Sequence, residues 1–304
     1  MNYVQLMPGR TFRPWHSLMY YAQRAVTPRP LRRAVTNGVA GYLRIRHGMP
    51  DLASAAGKDD AASLQDLRAD GLAMLPRLLD KKQIDDIHAY LRHRPLSPHG
   101  RPAPLFLADA PPPEVRMAEY SLADVLGCPH LLELANSPPL IRLAAHYIGC
   151  KPTISAIALR WSYPREGIGT GLQGFHRDCD DWRFIKVFAY LTDVDEGAGP
   201  HVYVSGSHRE RCSMRLAPYT DAEVAARYGQ QRMAKITGPA GTFFAVDTHG
   251  VHKGLLPSSK PRLLLQIQYS LLPVYMYDYT PAAGAHGARV DHYINRLLLK
   301  RPKA

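Results

Sequence analysis

No stretch of this chain holds 18 or more apolar residues in a row, so the sequence predicts no membrane-spanning helix. The N-terminus also lacks the compact apolar segment and small-residue cleavage site of a secretory signal. Cysteine is scarce. Cys128, Cys150, Cys179 and Cys212 are widely scattered without CxxC spacing, which fits free thiols in a reducing cytosol better than a disulfide framework. The expected location is therefore cytoplasmic. Acidic residues are missing from both ends: residues 1–50 carry eight arginines and no Asp, Glu or Lys. Residues 296–304 add Arg296, Lys300, Arg301 and Lys303, again with no acid. Those twelve account for the whole net charge of +12, leaving 26 basic against 26 acidic residues in 51–295. A neutral body argues against a nucleic-acid partner, because the excess charge sits only on the ends.

What remains is an ordinary globular composition, 46% hydrophobic and 21% charged over 304 residues, enough to bury a sizeable core. Apolar residues at Trp15, Leu18, Met19, Ala22 and Val26 predict a helix over 14–27, stopped by Pro28 and Pro30. A second helix is expected over 31–46, with Leu31, Val35, Val39 and Tyr42 on one side. An organellar transit peptide would be Arg-rich and acid-poor but also Ser-rich, which this segment is not, and two further readings stand for the N-terminal pair. It packs on the body as an extension, or its basic amphipathic surface with Trp15 lies peripherally on an anionic membrane. Residues 51–63, rich in Ala and Asp, read as a linker, and Asp80 as the N-cap of a helix through about Leu91. The Pro-dense segment 93–117 reads as an irregular loop placed to cover a site. A helix over Pro139–Ile148 follows, and from Pro152 the pattern turns to short strands separated by Gly- and Pro-rich turns. Helices first and strands after predict a β-sandwich or barrel buttressed by helices. The expected organisation is a basic helical extension (1–60), a catalytic domain (61–275) and a basic C-terminal tail or helix (276–304).

Chemistry concentrates in the strand-rich half. In Gln173-Gly-Phe-His176-Arg-Asp178, residues two apart on an extended chain share a face, so His176 and Asp178 can reach one ion. Downstream, Asp247-Thr-His249-Gly-Val-His252-Lys-Gly254 offers two histidines at an odd separation, so only one of them faces that site from a regular strand. His252 is favoured because Lys-Gly and then Arg262 follow it, and His249 is expected in the turn or at the rim. Two imidazoles and one carboxylate leave the opposite side of an ion open, an arrangement suited to non-haem Fe(II). Along 262–270 one face reads Arg262, Leu264, Gln266, Gln268, Ser270 and the other Leu263, Leu265, Ile267, Tyr269. Arg262 can donate two parallel hydrogen bonds to the far carboxylate of a 2-oxo acid. Lys186, in an apolar strand, reaches a bound anion or pairs with Asp193 or Asp180. Arg160 is a weaker rival anchor. Cys179 is expected on the face away from the metal, and Trp161, Tyr163 and Trp182 in aromatic packing.

Together these segments resemble the phytanoyl-CoA dioxygenase family of Fe(II)/2-oxoglutarate oxygenases, over about Leu67 to Leu272. The resemblance rests on Asp70-Gly71 through Leu79, Gly149-Cys150, the Gln173–Asp178 motif, Leu191–Pro200, Ser205-Gly-Ser-His208, His252-Lys-Gly and Arg262. It implies a double-stranded β-helix (jelly-roll, cupin-like) core with Fe(II) on His176, Asp178 and His252. It also implies 2-oxoglutarate anchored by Arg262, with Gln173 as a helper and Lys186 as a further contact, and O2 as cosubstrate. The implied reaction releases succinate and CO2 while hydroxylating a small-molecule, glycan or lipid-linked substrate. Gly254 departs from the pattern, since many members place a small hydroxyl residue there. The competing reading is a non-catalytic or zinc-loaded β-barrel binding protein, in which Arg262 has no task.

Overall fold

A computed structural model describes residues 2–50, 58–100, 103–167, 169, 171–210, 218–282 and 290–301. Most of the expected linker (51–57), part of the Gly-rich turn before the His-x-Asp motif (168 and 170), Cys212 and Lys303 lie outside the described residues. The strands in chain order are β1 (Asn2–Tyr3), β2 (Leu72–Leu75), β3 (Leu96–Pro98), β4 (Met117–Tyr120), β5 (Thr153–Ser162) and β6 (Phe184–Tyr190), then β7 (His201–Val204), β8 (Met233–Ile236), β9 (Phe243–Val246), β10 (His252–Gly254), β11 (Arg262–Ser270) and β12 (Tyr277–Asp278).

The alternation along β11 organises the architecture. This strand pairs antiparallel with β5 on one side and β6 on the other, at the centre of a seven-stranded sheet of order β2-β9-β6-β11-β5-β4-β3. Its apolar face, Leu263, Leu265, Ile267 and Tyr269, joins the main core beneath the helices. The opposite face of the sheet meets a three-stranded sheet of order β10-β7-β8. Phe188, Tyr190, Phe244 and Val246 from the large sheet pack there on Tyr203 and Ile236 from the small one. The molecule is thus a mixed α/β fold in which two antiparallel sheets lie face to face and helices cover the outer side of the larger.

Local chemistry explains where the helices start and stop. α1 (Pro14–Ala25) and α2 (Arg29–His47) each carry proline in the first turn, where the missing N–H has no intrahelical partner in any case. Pro30 therefore opens α2 instead of separating the two helices. The acid-rich stretch read as linker becomes helical from Lys58, as the start of α3 (Lys58–Ala69), with no Pro or Gly to interrupt it. α4 (Lys81–Leu91) begins with a reciprocal cap between Asp80 and Gln83 and buries Ile84, Ile87 and Leu91. The helix Pro138–Ile148 ends on Gly149, whose positive φ of 94° suits glycine. Segment 93–117 is not wholly irregular: β3 and β4 form the sheet edge, where Pro98 is tolerated and Leu96, Ala118 and Tyr120 are buried.

The N-terminal helices dock differently from their apolar periodicity. Trp15 and Leu18 are 62% and 59% exposed, while Ser17 and Gln23 are buried. On α2, Leu31 and Tyr42 face outward and Thr36, Ala40 and Leu43 inward. The reason is polar. Gln23 donates to Asp181 Oδ1 at 3.2 Å, and Arg32 donates to the backbone oxygens of Gln23 (2.6 Å) and Asp181 (2.8 Å). Asp181 is fully buried and also accepts from the Trp182 N–H (2.7 Å) and the Leu272 N–H (2.7 Å). Burial pushes its pKa up to about 8, and its carboxyl group ties α1 to the end of the central strand. Asp181→Ala would leave those buried donors unpaired, and the expected loss is about 2–3 kcal/mol of unfolding free energy, read from the urea midpoint.

Cys128, Cys150 and Cys179 are free thiols, with burial pushing Cys128 up to about 12 and Cys150 to about 11. No helix of the described residues is long and apolar enough to cross a membrane.

Candidate metal centre

The His-x-Asp segment does not form a continuous strand, yet extended backbone places its residues. His176 and His252 exchange both backbone hydrogen bonds, at 2.9 and 3.0 Å, and the Asp178 N–H donates to Thr248 O at 2.8 Å. This antiparallel bridge adds the motif to the free edge of β10. The side-chain ligand atoms of His176, Asp178 and His252 then lie within 4.8 Å of one another, the one such cluster among the described residues. His176 Nε2 is 3.6 Å from Asp178 Oδ1, and His252 Nε2 is 3.5 Å from Asp178 Oδ2.

The hydrogen bonds fix which nitrogen of each ring is available. His176 Nδ1 lies 2.8 Å from Gly174 O, and His252 Nδ1 lies 2.9 Å from Gly250 O. A carbonyl only accepts, so both Nδ1 atoms carry hydrogen and both Nε2 lone pairs point at the carboxylate. Burial, reinforced by the neighbouring His176, pushes His252 down to about 3, so it stays neutral. Burial works against the charge on Asp178, but the Lys186 ammonium beside it holds it well below the usual carboxylate range. Two imidazoles, each with Nδ1 held by a backbone carbonyl, and a charged carboxylate are a donor set suited to a divalent ion.

These residues open into a cavity of about 200 Å³ that Gln173, Lys186, His201, Gly254, Arg262 and Gln266 also line. Several of its polar atoms are buried without a partner: both amide atoms of Gln173, Arg262 Nε and His201 Nε2. Arg262 itself is 4% exposed and donates to Gly199 O and, at 3.4 Å, to Ser162 Oγ. A Cβ at Gly254 would stand 3.0 Å from Arg262 Nη2, so the guanidinium occupies the space a hydroxyl residue would need. That contact is a physical reason for the glycine.

Lys186 is paired with two carboxylates. Its Nζ lies 2.7 Å from Asp178 Oδ2 and 3.2 Å from Asp180 Oδ2, committing the ammonium to a metal-facing carboxylate and its neighbour. Asp193, the other partner considered, accepts from the Ala240 N–H instead. Arg160 is likewise engaged, by Glu119, which also meets His99 Nδ1 at 3.1 Å; Arg160 and His99 stand on the cavity wall. His249 points away from the ligand cluster, its Nε2 accepting from Arg32 at 2.8 Å and its Nδ1 donating to Asp247 at 3.1 Å. Trp161 stacks on Tyr163 and donates to Tyr120 OH.

Sequence reasoning missed His201, whose ring stacks on His252 with centroids 5.5 Å apart. Its signal was its place directly after Pro200 in a segment already singled out. Tyr3 and Tyr277 at the cavity mouth were also missed; they are brought together by the β1–β12 pairing, which no local pattern announces.

No family model matches this sequence and neither does any curated protein, so the phytanoyl-CoA dioxygenase resemblance rests on its motifs. Solved structures do match. One is EctD from S. alaskensis with 2-oxoglutarate and 5-hydroxyectoine, at 20% identity and a TM-score of 0.53, covering 83% of this chain and 90% of that one. Another is the epimerase SnoN in complex with Fe3+, alpha ketoglutarate and nogalamycin RO, at 19% identity and a TM-score of 0.52, covering 76% and 93%. At these identities the likeness shows the fold.

Proposed function

We propose that the chain is an Fe(II)- and 2-oxoglutarate-dependent dioxygenase on a double-stranded β-helix, hydroxylating an unactivated C–H of a small-molecule, glycan or lipid-linked substrate. The observation that carries this reading is the shared cavity. Three ligand side chains stand beside a buried arginine with an unpartnered Nε and a glutamine whose two amide atoms lack partners. Unpaired buried polar groups are costly, and a bound dicarboxylate would satisfy them. The zinc or non-catalytic alternative accounts for the triad but leaves the cavity's arginine without a task. Two proteins sharing the fold hold 2-oxoglutarate, one of them with Fe3+, which supports the same assignment.

Iron bound here would supply the redox chemistry in which O2 and 2-oxoglutarate give succinate, CO2 and a hydroxylated product. The protein's own part is positioning. His176 and His252 present Nε2, each oriented by a backbone carbonyl on the far side of its ring. Lys186 fixes the Asp178 carboxylate by holding one oxygen. Arg262 grips the far carboxylate of the cosubstrate, and Gln173 donates and accepts nearer the metal. The outer wall, with His99, Arg160, Tyr3, Met276 and Tyr277, is left for the substrate.

The decisive experiment is succinate formation from 2-oxoglutarate by the Fe(II)-loaded protein across a substrate library. No metal-dependent turnover with any candidate, even uncoupled from product, would reject the reading. Arg262→Leu is expected to raise the KM for 2-oxoglutarate about 100-fold, the loss of a buried charge-assisted pair of about 2–3 kcal/mol, with metal binding retained. On the N-terminal side, exposed Trp15, Leu18 and Tyr21 lie among arginines and support peripheral contact with an anionic membrane. Trp15→Ser/Leu18→Ser should then reduce co-sedimentation with anionic liposomes several-fold, and undiminished sedimentation would remove this contact from the proposal.

A further inference from the structure

A second concave site lies apart from the metal cavity. A cleft of about 500 Å³ lies where the first turns of α2 meet the end of helix Pro138–Ile148 and the turns around Arg177, Arg209 and His249. It shares no wall residue with the metal cavity. Seven arginines line it, against two carboxylates, Glu210 and Asp247.

Both carboxylates are already engaged. Glu210 accepts from Arg177 (3.0 Å), Arg227 (2.9 Å) and Tyr228 (2.7 Å). Asp247 accepts from the phenol of Tyr147 and from His249. Four of the arginines are also held, chiefly by backbone oxygens: Arg32 by Gln23 and Asp181, Arg68 by His146, Arg177 by Ser207 and His249, and Arg183 by Ile148. Backbone contacts orient a guanidinium without cancelling its charge. Arg29, Arg33 and Arg209 have no side-chain partner among the described residues. Burial, together with repulsion from Arg33 and Arg209, lowers the pKa of Arg29, which places the three charges close enough to oppose one another. Residues 1–50 contain no acid that could relieve them.

We infer that this cleft is a second binding site, for a ligand carrying a diphosphate or comparable oligophosphate group held by Arg29, Arg33 and Arg209. A lone carboxylate would neutralise only one of the unpaired cations. A diphosphate brings several charges within a few ångströms, and its oxygens match the donor fork of arginine. Arg29 and Arg33 stand one turn apart on α2 and project together, while Arg209 comes from the separate turn Ser207–Arg209. The ligand thus bridges the N-terminal helix to the body. It also meets the far side of the 247–252 turn, where Arg32 and His249 are hydrogen-bonded. The inference stands on this cleft alone and does not depend on the activity proposed above.

Titration of the full-length protein with inorganic pyrophosphate in a calorimeter tests it. Saturable binding is expected, weakened at least tenfold by Arg29→Ala/Arg33→Ala and by Arg209→Ala, and unchanged by Arg10→Ala/Arg46→Ala. Arg209 is exposed, so its single variant should melt like the wild type and keep the comparison free of folding effects. Vesicles carrying a polyprenyl diphosphate form a second arm. Vesicle binding that Arg209→Ala abolishes while free pyrophosphate gives no heat would assign the phosphate group to a lipid headgroup. Absence of saturable binding in both arms, or binding indifferent to all three arginines, would overturn the site.

Discussion

Replacing His176 with alanine is expected to strip the protein of tightly held Fe(II) and to bring succinate formation to the level of the metal-free protein. The size of the effect follows from how few donors the centre has. Only His176, Asp178 and His252 form the cluster, so the variant keeps two of three ligands. Loss of a group that merely orients a ligand typically costs about 10–100-fold in metal affinity or activity. Loss of a ligand should exceed that, and a fall of at least about two orders of magnitude in turnover is expected. Fold should survive: His176 makes its bridge to His252 through backbone atoms, which alanine keeps. Circular dichroism and a thermal melt would check that, and metal content after gel filtration would report the binding. Retained Fe(II) with retained turnover would remove His176 from the centre.

The residues that bear on this centre were unequally visible in the sequence. His176 and Asp178 could be paired because alternation along an extended chain is a local rule. The preference for His252 over His249 also came from local order, through the odd spacing and the arginine that follows. The partners of Lys186 were not readable in the same way. An apolar strand shows that its charge needs compensation and offers Asp193 or Asp180, but only the path of the turn after the motif selects Asp180 and brings in Asp178, which the sequence reading missed. The docking of α1 and α2 is not readable for a related reason. Apolar periodicity leaves open whether Trp15 and Leu18 pack on the body or face outward, and the helices are seated by Gln23 and Arg32 on Asp181, a partner some 150 residues away. The basic cleft was hidden more completely. Its unpaired arginines come from α2 and from position 209, and the balanced charge of residues 51–295 concealed a local excess that folding creates.

Lys186→Met carries the other large expected effect, and it separates a metal ligand from a merely structural carboxylate. In the wild type one buried ammonium lies against two buried carboxylates, Asp178 at 2.7 Å and Asp180 at 3.2 Å, with side-chain exposures of 10–13% for all three. Burial opposes the charge on Lys186, but the two carboxylates more than offset it and raise its pKa above the ordinary value. Methionine fills similar space and removes the cation, leaving two like charges in a poorly solvated wall. Breaking a buried ion pair from one side costs about 3–5 kcal/mol. At about 2–4 °C per kcal/mol for a domain of roughly this size, the metal-free variant should melt about 6–20 °C below wild type. A divalent ion at the His176–Asp178–His252 centre would supply the missing positive charge. It would also no longer be repelled by an ammonium on the same carboxylate. Manganese or nickel should therefore bind the variant more tightly than the wild type and raise its melting temperature by the larger increment. If Asp178 served only as a counter-ion for Lys186, the ion would stabilise neither protein and the variant would stay at its lowered melting temperature. A thermal scan of both proteins, with and without the ion, distinguishes these outcomes before any substrate is known.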